Sequence, residues 1–274
     1  MTYVRVMAGM MLLAASSGAL RAAQAHDFWL VPDAFQIADG MQLSVRGQTS
    51  SNFPTSESAV TPERVTEARV IGASDDVRVT GVGTSGTSLL LRNRPRGAGQ
   101  RIVAVSLAPR LVRASGPEFK RYMELEGAAE LAKRYDREGI LPKTDSITRR
   151  YAKYAKTIVE VGSGGARAYS IVVGQPAEFV PLSDPGALRA GDTLRIRLVY
   201  AGVPLNAAHV EAGLAPAGGS RIDLALETDA NGIVRVPVGR AGLWNVRSLH
   251  IVPSPHGSGA DWDSHFVTFV FRVR

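Results

Sequence analysis

The chain has no cysteine among its 274 residues. That excludes disulfides, a thiolate metal site, a cysteine nucleophile and a lipid-bearing cysteine at a processing site. Long apolar runs are nearly as scarce. The one near the start, Val6 to Leu13, is too short and too soon followed by Arg21 to span a membrane as a helix. Acidic residues are outnumbered, 25 against 32 Lys and Arg, for a net charge of +7 at pH 7. The surplus arginines are scattered singly rather than grouped with aromatics, so the pattern predicts a solvated basic surface and no nucleic-acid groove. The glycine-rich stretch Gly162-Ser163-Gly164-Gly165 lacks the Lys-Ser/Thr of a phosphate loop and opens no helix. There is also no G-x-S-x-G elbow of the kind that presents a nucleophilic serine.

What is there begins with the leader. Arg5, the apolar run and a series of small residues precede Ala23-Gln24-Ala25, the A-x-A pattern that signal peptidase accepts. The expectation is a cleaved signal peptide over residues 1–25 and a periplasmic product that begins at His26. Such a start has a chemical consequence. A free α-amine and the imidazole of the same residue can chelate one metal ion together, which no internal histidine can do.

Beyond residue 26 the periodicity predicts a mainly β protein, built from antiparallel β-sandwich regions with a helical insertion in the middle. Short apolar or alternating runs recur at sandwich-like intervals: Phe28 to Val31, Met41 to Arg46, Arg64 to Ile71, Ser88 to Leu91 and Arg101 to Leu107, with turn residues between them. The period then changes. Pro117 to Asp136 carries Phe119, Tyr122, Met123, Leu125, Leu131 and Tyr135 at helical spacing, and a second helix is expected over Ile147 to Lys156, placing helices at about residues 117–156. The last third returns to strands. In Thr193 to Tyr200, Leu194, Ile196, Leu198 and Tyr200 alternate with Arg195, Arg197 and Val199. Asp229-Ala230-Asn231-Gly232 reads as a tight turn and Trp244 as a core anchor. The expected division is an N-terminal β region at 26–175 and a C-terminal sandwich at 176–274.

Several motifs resemble known families. Gly202-Val203-Pro204-Leu205, Thr228 to Gly232 and Gly242-Leu243-Trp244 follow the order seen in transthyretin-like and carboxypeptidase-regulatory-like sandwiches. Over residues 26–274 the ordered set His26-Asp27-Phe28-Trp29-Leu30-x-Pro32, Tyr151-x-x-Tyr154-x-Lys156-Thr157, Glu178-x-x-Pro181-Leu182, Trp244 to His250 and Asp261-Trp262-x-Ser264 is similar to the DUF4198 family. That resemblance implies kinship with periplasmic components of nickel and cobalt uptake. Those relatives typically carry a histidine at the second or third mature position, whereas here it is first. The difference points toward a histidine brace, in which the amine and Nδ1 of His26 join a second imidazole, and such nitrogen donors favour copper over nickel.

His250, which resembles the histidine after the family's G-x-W block, is the expected second ligand. His256 stands next, with Asp261 and Asp263 as supporting carboxylates. His265 shares strand parity with Val267, Phe269 and Phe271 and is expected to edge the core, and His209, which alternates with Val210, is expected to be packed. Three functions follow. The leading one is a non-enzymatic periplasmic metal-binding or metal-delivery protein for copper, or for nickel or cobalt by resemblance, with a metal transporter or another envelope protein as partner. The alternative is a non-catalytic envelope module that binds a protein or glycan. Last comes a copper-dependent polysaccharide oxidase, disfavoured because no flat aromatic platform is apparent.

Overall fold

The computed structural model of the chain describes residues 26–141, 143, 146–215 and 222–274. The expected signal peptide, residues 1–25, lies outside them. In chain order the strands are β1 (Asp27–Pro32), β2 (Gln36–Ile37), β3 (Leu43–Ser50), β4 (Val65–Ile71), β5 (Asp76–Arg78), β6 (Gly81–Ser85), β7 (Ser88–Asn93), β8 (Gly99–Ala114), β9 (Ile147–Val161), β10 (Ala177–Pro181), β11 (Asp192–Tyr200), β12 (Val203–Pro204), β13 (His209–Leu214), β14 (Ile222–Glu227), β15 (Ile233–Val238), β16 (Gly242–Pro253) and β17 (Trp262–Val273). Two helices, α1 (Gly116–Leu125) and α2 (Ala129–Arg137), separate β8 from β9.

The strands form three sheets. A large sheet runs β14-β13-β16-β17-β9-β8-β4-β5, with β2 also on β9. A second sheet has the order β1-β3-β7-β6, and a third the order β10-β11-β12 with β15 on the other side of β11. The large sheet lies in the middle because its strands are apolar on both sides. In β8, Val103, Val105 and Leu107 pack with Phe28, Leu30, Val45, Leu89 and Leu91 of the β1-containing sheet. The alternate residues Ile102 and Ala104 pack with Phe179, Leu194, Ile196, Leu198, Val234 and Val236 of the β11-containing sheet. Each fully buried Phe or Leu contributes about 1.5–3 kcal/mol relative to exposure. A near-continuous apolar run such as Ile102 to Leu107 is what burial on both faces requires. The expected turn and anchor are present: Gly232 donates its N–H to the Asp229 carbonyl at 2.8 Å, and Trp244 is fully buried.

Two expectations need correction. The segment Ile147 to Lys156 is not a helix but the first part of β9, a 15-residue strand. Its Tyr, Ala and Lys residues satisfy a helical spacing, but they alternate equally well. Tyr151, Lys153 and Ala155 take one face, and Ala152, Tyr154 and Lys156 the other. Pairing with β8 on one side and β17 on the other fills both rows of backbone hydrogen bonds, and that tertiary gain overrides the local period. The pairing is also not wholly antiparallel. β17 runs parallel to β9, as does β2. Parallel neighbours need a long crossover, which the chain from residue 162 to 261, carrying the whole β11-containing sheet, supplies. The large sheet thereby joins strands from both sides of residue 175.

The helices follow local chemistry. Ser115 and Glu118 make a reciprocal cap, with the Ser115 N–H donating to the Glu118 carboxylate at 2.7 Å, and Pro117 sits in the first turn. Phe119, Met123, Ala132 and Tyr135 pack on Ile251, Trp262 and Phe266 of the large sheet, covering the same face as β1. Between the helices, Gly127 has φ +84°, and a Cβ there would lie 2.7 Å from the Glu211 carboxylate and 2.8 Å from the His209 ring. Only glycine permits that approach.

Candidate functional site

His26 immediately precedes β1, whose first residue Asp27 is in register with Ser50 of β3. Its Nδ1 lies 3.2 Å from the Ser51 hydroxyl, and its Nε2 lies 3.7 Å from a Glu57 carboxylate oxygen. The side chain is 35% exposed. The Lys153 ammonium donates to the His26 carbonyl from below. Burial lowers the Lys153 pKa to about 8 against the opposing pull of Asp27. Asp27, in turn, is buried and lies 3.0 Å from Arg247 Nε. Arg247 also meets Glu126 at 3.1 Å and Glu211 at 3.2 Å. Burial works against that guanidinium charge, yet the Asp27, Glu211 and Glu126 carboxylates outweigh it and raise its pKa. The start of β1 is therefore anchored by Lys153 of β9 and by Arg247 of β16, which Glu126, just past α1, and Glu211 of β13 hold in turn.

His250 belongs to β16, three residues beyond Arg247, and so points to the opposite face of the large sheet. The same alternation holds on β9, where Lys153 reaches His26 while Tyr154 stacks on His265 at 6.0 Å between ring centres. His26 and His250 thus lie on different faces, and the structure does not bring these two expected ligands together. His250 instead sits directly opposite His265 in the β16–β17 register, with ring centres 6.3 Å apart. Tyr200, at the end of β11, contacts both, at 4.6 Å from His250 and 4.8 Å from His265. Both ring nitrogens of His265 are buried and have no hydrogen-bond partner. Burial lowers the pKa of each imidazole to about 4, helped at His250 by the neighbouring His265. Both are neutral at pH 7.

The remaining candidates have structural partners. Asp263 accepts two hydrogen bonds from Arg150, at 2.7 and 2.8 Å. Asp261 accepts the Thr148 N–H at 2.6 Å and holds the loop that carries His256. His256 is exposed and lines an open hollow of about 410 Å³ with Thr148, Ser254 and Asp261. His209 lies 3.3 Å from Glu211 rather than in the apolar core. Among the described residues, no three His, Asp or Glu side chains converge as a metal-binding group. Glu57 belongs to no motif, Lys153 falls on an unspecified position between Tyr151 and Tyr154, and Arg247 falls inside the Trp244 to His250 block without being marked there. Lys153 is one of two lysines in a segment, Ile147 to Lys156, whose period reads as helical.

With this geometry in view, the comparisons are informative at one level only. The family model described as a domain of unknown function, DUF4198, matches residues 23–252, and the chain belongs to that family. No curated protein matches it. Among solved structures, a tetra-tandem repeat in the extending region of a large adhesion protein aligns at 10% identity over 90% of this chain and 49% of that one, with a TM-score of 0.24. The chain therefore spans about half the length of that protein. The D0-D1 domain of Intimin aligns at 10% identity over 89% of this chain and 97% of its own, with a TM-score of 0.20. A marsupial T cell receptor gives 9% identity, 88% and 73% coverage and a TM-score of 0.22. Scores this low carry no conclusion about function.

Proposed function

We propose that the protein is a periplasmic metal-binding or metal-delivery protein whose mature chain begins at His26. The observation that carries this reading is the setting of the His26 imidazole. A carboxylate near Nε2 favours a proton on that nitrogen and leaves Nδ1 with its lone pair, a familiar way of orienting a ligating histidine. After cleavage, the amine and Nδ1 of His26 would form one chelate, with the Ser51 hydroxyl alongside. Lys153 and the β1–β3 register hold the backbone of that chelate still. A bound divalent ion would supply Lewis acidity or simply be cargo for a membrane transporter or another envelope protein. Nitrogen donors favour copper in the general order of affinities, while family kinship favours nickel or cobalt. His250 takes no part in this chelate, since it lies on the other face of the sheet.

The test combines an intact mass with a copper(II) titration. The expected mature mass starts at His26, and the native form binds copper(II) at least ten-fold more tightly than a form with one extra Ala before His26. Equal affinity in the two forms, or a start elsewhere, would eliminate the chelate. Undetectable binding in the native form would leave an envelope protein- or glycan-binding module as the better account.

A further inference from the structure

Outside the His26 region, the face of the large sheet turned toward β11 holds a second histidine group that the chelate does not use. We infer that His250 and His265 together form a separate copper(I) site walled by Tyr200 and Tyr154. The pair is built by register: the two residues are direct cross-strand partners, so their side chains leave the same face side by side. A metal–nitrogen bond of about 2 Å, plus about 1.2 Å from nitrogen to ring centre, places two imidazoles that share one ion no more than about 6.4 Å apart. The observed 6.3 Å lies within that reach, with the two ring planes 29° apart.

The second observation is the state of His265. Its Nδ1 and Nε2 are both buried without a partner, although buried polar atoms in folded proteins are almost always satisfied. A neutral imidazole has one lone pair to give, and an ion between the two rings would take it. Sequence parity alone suggests a packed core histidine at this position, but packing leaves that lone pair unexplained.

The donor set then selects the ion. Among the described residues no third His, Asp or Glu completes a metal-binding group, and Asp263 on the same face is committed to Arg150. The phenol of Tyr154, pushed up to about 12 by burial, does not ionise near neutrality. Two neutral nitrogens in a partly buried aromatic setting suit a singly charged ion content with two ligands. Zinc, nickel and cobalt dications demand more donors and carry a larger desolvation penalty.

The experiment is an anaerobic titration of the mature protein with copper(I) buffered by a chromogenic chelator, using wild type, His250→Phe and His265→Phe. Phenylalanine keeps the ring volume and removes the lone pair, and near-ultraviolet circular dichroism reports whether packing survives. Both Phe variants keep His26, so any binding left in them reports the N-terminal chelate. The expected result is at least a ten-fold loss of copper(I) affinity in each. Wild-type affinity in a folded His265→Phe variant would overturn the site. Should the variants unfold, copper K-edge absorption of the loaded wild type decides through its outer-shell scattering: two imidazole rings support the pair, and a single imidazole or methionine sulfur donors overturn it.

Discussion

On the face of the large sheet that packs against β1, one guanidinium, Arg247, is shared by Asp27 of β1, Glu126 just past α1 and Glu211 of β13. On the opposite face the only fully buried ion pair among the described residues is Lys156 with Glu178, at 2% and 1% side-chain exposure. Glu178 also accepts the Val173 and Gly174 N–H groups at 3.0 and 2.8 Å. The first arrangement spreads charge over several partners near solvent. The second concentrates it in one contact within a dry core. The comparison teaches that the two faces differ in redundancy: a shared network loses part of its compensation when one member goes, whereas an isolated buried pair loses all of it.

That difference should appear most strongly in Glu178→Ala. The variant leaves the Lys156 ammonium buried without its carboxylate, and burial already depresses its pKa. A loss of about 3–5 kcal/mol is expected by urea unfolding. A loss below about 1 kcal/mol would mean that the dry face tolerates charge as well as the networked one. Arg247→Met should cost less, about 3 kcal/mol, because it removes a shared cation from carboxylates that lie closer to water. It should also loosen the first residues of β1, read as faster amide exchange at Phe28 and Trp29. An effect larger than that of Glu178→Ala would reverse the comparison.

The smallest effect concerns Lys153 and is read through pH. Its folded pKa is about 8, below the unfolded value of about 10.4. Below pH 8 the amine is protonated in both states, and the penalty of burying its charge is fully present. Between about pH 8 and 10.4 the unfolded chain holds more protons, so stability rises with pH across that window. The rise is about 2 kcal/mol from pH 8 to pH 10. Lys153→Met should flatten this limb of the stability profile, and an unchanged slope would show that the ammonium is not held in a desolvated place.

Much of the fold was legible because its causes are local. The apolar run Ile102 to Leu107, the alternation of Leu194, Ile196, Leu198 and Tyr200, the Asp229–Gly232 turn and the Trp244 anchor are all present as read. The first helical stretch was legible too, although Gly127 divides it in two. β9 was misread because Tyr151, Tyr154 and Ala155 fit a helix and a strand equally, and the partners that decide between them lie elsewhere in the chain. The candidate site divides the same way. His26 and His250 were identifiable as chemistry-bearing residues, but the partner of each was not.

By itself, the sequence determined the composition-level exclusions, the family and the predominance of strands. Those properties depend on residue type and on spacings of a few residues. Only the tertiary structure decided that β17 lies parallel to β9, that His250 faces His265 rather than His26, and that Glu57 and Lys153 frame His26. The physical reason is register. Which side chains share a face is set by pairing between strands, some of them as distant in the chain as β9 and β17, and a shift of one residue would exchange every partner.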